Sequence, residues 1–439
     1  MSNVSDERSE TVFDDFKPAY TPAQAKVEAN RCLYCHDAPC VKACPTSINI
    51  PEFIRKIATE NVRGSAKTIF DQNILGMSCA RVCPVEVLCV GDCVFNEMGV
   101  PPIQIGKLQR YSTDRAFDEQ WTYYEAGPDT GKSVALVGGG PASLAAAHQL
   151  RRLGHACTIY EKRPVLGGLN TTGVAPYKMK ADRSVQEVKW LLSIGGIEVK
   201  TGVSVPDEVD FAALEKEHDA IFLGLGLGPD TILDMAGKEL PGAQGAVEFI
   251  EGMKLEQLDL KDVKRVLVIG GGNTAIDAVR EALGLGLPEV TMVYRGREEK
   301  MSGYLHEWDA AKQEGARAAW QTQPVGFEQQ GGRITGVKCQ KMDDDKKLIG
   351  GTEHVLPADL VLLAIGQSKL AHLVEGLEGI ETKWGRVIVD EAGATGRAGY
   401  YAGGDCINGG KEVVNAAADG KRAAHAIHDY VMTKGGSDA

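Results

Sequence analysis

Two runs of cysteine constrain this chain more than any other feature. The first reads Cys32-Leu-Tyr-Cys35-His-Asp-Ala-Pro-Cys40-Val-Lys-Ala-Cys44-Pro45, and the second holds Cys79, Cys83-Pro84, Cys89 and Cys93. Eight of the eleven cysteines in 439 residues therefore lie near one end. Cysteines that merely fill a core are scattered, whereas these are spaced by two to five residues and twice followed by proline. Disulfides suit short secreted chains, but this long one begins Met-Ser-Asn-Val-Ser-Asp-Glu-Arg, with no basic start and no apolar run. The expectation is a reduced, cytoplasmic protein. Zinc modules usually show two close pairs across a finger-length spacer. Intervals of two, four and three, ending in proline, fit iron–sulfur ligation better, with the cysteine before proline serving the other of two clusters. Two 4Fe-4S clusters are the reading.

The net charge of −12 argues against a nucleic-acid binder, and no apolar stretch approaches membrane-spanning length. The 52 glycines favour backbone-rich cofactor loops over a sandwich or a bundle.

In chain order, residues 1–20 are acidic and polar and read as a mobile tail. Thr21-Pro22 caps a helix that delivers Cys32, and Pro51 starts another with Phe53, Ile54 and Ile57 on one face. Residues 21–122 thus form a small helical domain stapled by the clusters. A linker from Tyr123 to Gly131 follows. Val134–Val137 is then a buried strand, and Gly138-Gly-Gly140-Pro141-Ala142-Ser143 opens a helix, a turn whose glycines let backbone amides approach a pyrophosphate. The next strand ends in Glu161, where a carboxylate takes a ribose hydroxyl. The pattern recurs. Arg265–Ile269 leads into Gly270-Gly-Gly272-Asn273-Thr274-Ala275, and the second strand there ends in Arg295-Gly296-Arg297 instead of an acid. Two such turns mean two cofactors, most simply FAD first and a nicotinamide nucleotide second. Residues 131–240 and 366–439 make the FAD domain, and 241–365 the inserted NAD(P)H domain. The return is marked by Ala364-Ile-Gly366 and by Gly404-Asp405 before a final helix, the aspartate being placed to reach a ribityl chain. Residues 326–356 read as hairpins with a solvated turn. The fold class is α/β: an α-helical iron–sulfur domain, then two Rossmann-like, glutathione-reductase-like domains, the second inserted in the first.

Taken together these features resemble the N-terminal half of dihydropyrimidine dehydrogenase, and most of all the separate flavin and iron–sulfur subunit of the bacterial NAD-dependent enzyme. The resemblance runs from Cys32 to the last helix. It is carried by Cys35-His-Asp-Ala-Pro-Cys40, the five residues between Cys83 and Cys89, Ile105-Gly-Lys-Leu-Gln109, Gly140-Pro-Ala-Ser143 and Glu161 through Gly167-Gly168-Leu169. It implies one cluster on Cys32, Cys35, Cys40 and Cys93, and a second on Cys44, Cys83, Cys89 and Gln109. Cys79 is then left without iron, although counting thiols alone makes it the eighth ligand. Lys178 matches a flavin-contacting arginine and is expected to steady charge on the reduced flavin, a surface lysine being the alternative.

The same resemblance implies hydride transfer from NAD(P)H to FAD with no catalytic acid or base. Electrons then pass singly through the clusters to an FMN-containing, dihydroorotate-dehydrogenase-like barrel subunit, in a heterotetramer, that reversibly reduces uracil or thymine. Positions matching two basic contacts of the NADPH-using mammalian enzyme are Gly296 and Ser302, which favours NADH. A glutamate synthase small subunit or electron-bifurcating subunit shares the architecture, but the former usually has a tighter second cysteine run. A disulfide reductase needs a cysteine pair by the flavin, where this chain has Leu169-Asn-Thr171. A zinc-stapled, non-enzymatic NAD-binding scaffold is the remaining alternative. Cys157, Cys339 and Cys406 are isolated, and His36 reads as no ligand.

Overall fold

The computed structural model describes residues 5–235, 238 and 240–434. The helical module starts at Thr21, whose hydroxyl accepts the Gln24 amide while the Gln24 side chain returns to the Thr21 amide. Such a capping box contributes about 1 kcal/mol to the head of α1 (Pro22–Asn30). α2 (Pro39–Lys42) is one turn that carries Cys40. α3 (Ile50–Ala58) buries Ile50, Phe53, Ile54 and Ile57 on one face, and α4 (Val62–Gln72) buries Ile69 and Phe70. Large side chains buried to this degree each stabilise by about 1.5–3 kcal/mol. α5 (Gly76–Val82) runs into Cys83, α6 (Val94–Glu97) starts directly after Cys93, and α7 (Ile105–Asp118) packs on α4 and α5.

Beyond the linker, β1 (Ser133–Val137), β2 (Ala156–Glu161), β3 (Ile197–Thr201) and β4 (Ala220–Leu223) join a distant strand, β15 (Tyr400–Ala402). The order is β15-β4-β1-β2-β3, all parallel. A second parallel sheet repeats that plan as β5-β12-β6-β7-β8, from β5 (Ala243–Gly245), β6 (Arg265–Ile269), β7 (Glu289–Val293), β8 (Arg317–Ala319) and β12 (Leu360–Leu363). The chain leaves the first sheet after β4, builds the second and returns at β15, so the second unit is inserted in the first. Runs such as Val266–Ile269 and Leu360–Leu363 are buried throughout, as parallel strands covered on both faces require. The first sheet is flanked by α8 (Pro141–Arg152), α10 (Ala181–Leu192), α11 (Phe211–Glu217) and α16 (Val413–Lys434), with single turns α9 (Leu169–Thr172) and α15 (Asp405–Asn408) at its cofactor edge. The second carries α12 (Ala246–Leu255), α13 (Asn273–Gly284) and α14 (Leu305–Gln313). An antiparallel sheet of β9 (Thr322–Gln330), β10 (Arg333–Lys341) and β11 (His354–Pro357) forms the hairpins read from the Gly331-Gly332 and Asp343–Lys347 turns. β13 (Thr382–Lys383) and β14 (Arg386–Val387) pair separately.

The stretch read as a mobile tail is, in its described part, an ordered strap. Residues 1–4 lie outside the described residues. Arg8 pairs with Glu10 at 3.0 Å and Asp182 at 2.8 Å, and the buried Glu10 carboxylate accepts the Ala181 amide at the start of α10. Ser9 bonds the backbone at Glu256 and Leu258, beyond α12, and Arg110 of α7 donates to the Asp15 carboxylate and the Lys17 carbonyl. Acidic composition suggested a solvated tail, but these charges are spent on capping and pairing, and Phe13 is 7% exposed.

The helical module is fused to the first α/β unit by Phe70, Phe117, Tyr123 and Trp190, with Trp190 4.6 Å from Phe70 and 5.2 Å from Phe117 between ring centres. Beside them, Glu187 of α10 accepts the amides of Met77 and Ser78 at 2.9 and 3.2 Å and the Ser78 hydroxyl, and so caps α5 from the neighbouring domain.

Candidate functional site

The thiols fall into two groups. Cys32, Cys35, Cys40 and Cys93 converge on a hollow walled by Ala38, Pro39, Ile50, Pro51, Ile54, Phe95, Ile103 and Ile105. Burial pushes the Cys40 thiol up to about 12, helped by the nearness of Cys32, Cys93 and Cys35. Cys89 is raised by burial and by Cys44 and Cys40, and Cys83 by a hydrogen bond with Cys79 and then by burial. Thiols held neutral in this way become ligands when a cation replaces the proton. Among the described residues, no three His, Cys, Asp or Glu side chains are grouped to hold a single metal ion. The apolar hollow with four thiols on its rim suits a group with bulk of its own, as a cubane cluster has. His36 is exposed.

Gln109, on α7, is 8% exposed and donates Nε2 to the Gly76 carbonyl at the head of α5 at 2.8 Å. That bond fixes the amide plane and commits its nitrogen, leaving the oxygen for another partner. Cys79, 3% exposed, accepts Asn73 Nδ2 at 3.1 Å and is hydrogen-bonded to Cys83. These contacts hold the buried Cys79 between Asn73 and Cys83. If Gln109 is the ligand, Cys79→Ala keeps about eight irons per chain, as two cubanes require, while Gln109→Ala loses or alters one cluster. Iron and sulfide assays with electron paramagnetic resonance decide it, and the reverse pattern assigns Cys79.

At the first dinucleotide turn, Gly138 has φ +96°, and a Cβ there would stand 2.4 Å from the Gly224 carbonyl oxygen. Gly140 caps α8 with no side-chain bond to its first turn, and a Cβ on it would meet nothing nearer than the Gly168 Cα at 3.9 Å. Free amides facing open space form the cradle that a pyrophosphate needs. Pro141 and Ala142 begin the helix, and the Ser143 hydroxyl is buried without a hydrogen bond. The Glu161 carboxylate accepts the amides of Gly139 at 2.7 Å and Arg163 at 2.8 Å, which holds it at the mouth of the turn. Gly168 and Leu169 lie opposite at α9. At the far edge Gly404 precedes Asp405, whose carboxylate accepts the Lys411 amide at 3.1 Å. The helix expected directly after Asp405 is a single turn, with α16 starting only at Val413 because Gly409 and Gly410 interrupt it. These residues fit FAD.

The second turn repeats the geometry: Gly270 has φ +144°, and a Cβ there would stand 2.3 Å from the Ala364 carbonyl oxygen. In front of Gly272 the nearest atom to a Cβ would be Ser302 Oγ at 3.6 Å. The Asn273 side chain accepts the Tyr304 amide at 2.9 Å, Thr274 is half-buried and Ala275 is buried. Gly366 follows β12 at φ +109°. Arg295, just past β7, is exposed and makes no hydrogen bond or ion pair among the described residues. Arg297 is engaged by Asp344 at 2.6 Å.

Lys178 is not the surface lysine that was the alternative in the sequence. Its ammonium is bound by Asp277 of α13 and Glu307 of α14, each at 2.9 Å, and its side chain is 13% exposed. Burial opposes the charge, but the two carboxylates outweigh it and hold the lysine above its ordinary range. The Tyr177 hydroxyl donates to Asp277 at 2.5 Å and the Tyr304 hydroxyl to Glu412 at 3.0 Å, so both link the two α/β units. Sequence reasoning missed Asp277, Glu307, Glu412, Glu187 and Lys254. They carry no motif, and charged residues at helical spacing look the same whether they face water or another domain.

Residues 8–121 match the family described as dihydropyrimidine dehydrogenase domain II, 4Fe-4S cluster, and residues 132–420 match the family of pyridine nucleotide-disulphide oxidoreductases. The chain belongs to the pyridine nucleotide-disulphide oxidoreductase family. Within this family, the small chain of glutamate synthase (NADPH) from Escherichia coli K12 is 32% identical over 95% of this chain and 94% of its own length. The NAD-dependent dihydropyrimidine dehydrogenase subunit PreT of Salmonella typhimurium is 33% identical, over 95% of this chain and 97% of its own length. FprA from Mycobacterium tuberculosis, 19% identical, superposes with a TM-score of 0.57 over 71% of this chain and 87% of its own, which shows the shared fold. The oxidoreductase accordingly takes FAD, NAD(P)H and 4Fe-4S iron, and works as an NAD(P)H-dependent flavin and iron–sulfur electron-input subunit. No described helix is long and apolar enough to cross a membrane.

Proposed function

We propose that this oxidoreductase is the electron-input subunit of a cytoplasmic dihydropyrimidine dehydrogenase. Its partner would be an FMN-containing barrel subunit in a heterotetramer that reversibly reduces uracil or thymine. The observation that carries this reading is the match of residues 8–121 to dihydropyrimidine dehydrogenase domain II. The PreT relatives and the five-residue interval from Cys83 to Cys89 support it.

Bound FAD would supply two-electron hydride acceptance and one-electron donation. The chain's part is binding and orientation. Free amides of α8 would hold the FAD pyrophosphate, Glu161 would take a ribose hydroxyl and Asp405 the ribityl chain. α13 serves the nicotinamide nucleotide in the same way. Cys32, Cys35, Cys40 and Cys93 would hold one cluster, and Cys44, Cys83, Cys89 and Gln109 the other. NADH is the proposed donor: Arg297 is neutralised by Asp344, and the neighbouring Gly296 and Ser302 carry no charge, which leaves Arg295 alone for a 2′-phosphate.

The test is reconstitution with candidate barrel and amidotransferase partners. Uracil-dependent NADH oxidation is expected, with a lower KM for NADH than for NADPH. The glutamate synthase relative, at similar identity, makes the second reading specific: oxidation that depends on glutamine and 2-oxoglutarate would replace the first.

A further inference from the structure

One stripe of α13 faces away from its own sheet. Asp277, Arg280, Glu281 and Gly284 recur at helical spacing, so they lie along a single side. That side is gripped from outside the NAD(P)H domain. Asp277 holds Lys178 and Tyr177, with Lys178 also reaching Glu307 on α14. The Arg280 guanidinium lies 4.1 Å from the centre of the Tyr177 ring and 4.7 Å from that of Phe16 in the strap. At Gly284 the absent side chain makes room for Phe13, whose ring would stand 2.3 Å from a Cβ. From α12, the fully buried Lys254 donates to the carbonyls of Val174 and Met179, both at 2.7 Å. The segment 174–179 of the FAD domain is thus held by three helices of the NAD(P)H domain, and the strap overlies the same junction.

We propose that Lys178, together with Phe13 and Phe16 of the strap, positions α13 relative to the FAD domain and thereby sets where the nicotinamide is presented for hydride transfer. The inference rests on α13 being the helix whose first turn holds NAD(P)H. With its ammonium between two carboxylates, Lys178 acts through α13 and is a positioning residue. A helix clamped along its side keeps its N-terminus in one place, and small displacements of a reacting group are costly: a misplacement of about 1 Å can lower a rate about a hundredfold.

The test uses the holoprotein, with every variant compared at full flavin and iron content. Stopped-flow bleaching by NADH gives a limiting rate and a Kd. Lys178→Met and Asp277→Asn are each expected to slow the limiting rate about tenfold or more, with Kd changed less than about twofold. The double variant should be no slower than the worse single one, because both remove the same contact. Lys178→Arg should recover much of the rate. Flavin midpoint potential should not move, and amide exchange in residues 8–16 and 174–180 should rise. Phe13→Ala, far in sequence from any cofactor motif, should slow bleaching in the same direction. A shifted flavin potential in Lys178→Met, with Asp277→Asn at the wild-type rate, would make Lys178 a flavin partner and overturn the proposal. Unchanged rates in Lys178→Met, Asp277→Asn and Phe13→Ala alike would overturn it as well, leaving the contacts purely structural. Both outcomes differ from failure of the relay itself, in which the unmodified protein does not bleach.

Discussion

Gly138→Ala is expected to yield protein without flavin, whereas Gly270→Ala is expected to keep its flavin and lose only its response to NADH. Both residues have positive φ, a backbone region costly for any side chain, and in each a Cβ would run into a carbonyl oxygen, of Gly224 at 2.4 Å or Ala364 at 2.3 Å. Neither oxygen can retreat, since Gly224 directly follows β4 and Ala364 directly follows β12, both central strands. The turn must therefore shift, which moves the amides of Gly140 or Gly272 off the phosphate they would bind. Flavin content of the purified variants, then bleaching by NADH and by dithionite, separates the two sites. Dithionite should still bleach Gly270→Ala. Loss of flavin from both variants would mean that the two turns do not serve separate cofactors.

The second large effect lies at Glu187. Burial pushes its carboxyl up to about 7 from an ordinary 4.5, against the pull of the Ser78 and Met77 donors. Between those values the folded protein binds a proton that the unfolded chain has lost, so stability falls as pH rises from about 4.5 to about 7. The change amounts to about 3 kcal/mol over that window, order of magnitude only. Glu187→Gln should keep the cap and flatten the slope. Glu187→Leu should cost about 3–5 kcal/mol near pH 4.5 and progressively less as pH rises towards 7, because it strands the buried Met77 and Ser78 amides and the Ser78 hydroxyl but also removes the titrating carboxyl. Amide exchange across α5 as a function of pH measures both. A slope unchanged in Glu187→Gln would assign the titration to another group.

How much of this was legible beforehand depends on whether the signal was local. The cysteine spacing, the Thr21 capping box and the two glycine turns all state their structure within a few residues, and the sheets repeat one strand order as the paired motifs implied. The strap was misread because its partners, Asp182, Ala181 and Arg110, lie about a hundred residues or more further on, so its charges looked solvated. Lys178 was found through resemblance alone, and its role in the junction needed Asp277 and Glu307, which only the packing of α13 and α14 brings near. Cys79 and Gln109 are rivals in the sequence because counting thiols favours the first and the family resemblance the second. In the fold Cys79 accepts from Asn73 and Gln109 donates to the Gly76 carbonyl, and the iron assay on the two variants decides between them.

The central claim is a relay from NAD(P)H through FAD to cysteine-bound iron–sulfur clusters. Its most direct test is anaerobic titration with NADH and NADPH, following the flavin band, with iron, zinc and acid-labile sulfide assayed on the same sample. The account predicts rapid bleaching, with NADH effective at the lower concentration, and about eight irons per chain. Zinc in place of iron, or a flavin that neither nucleotide bleaches, would contradict it.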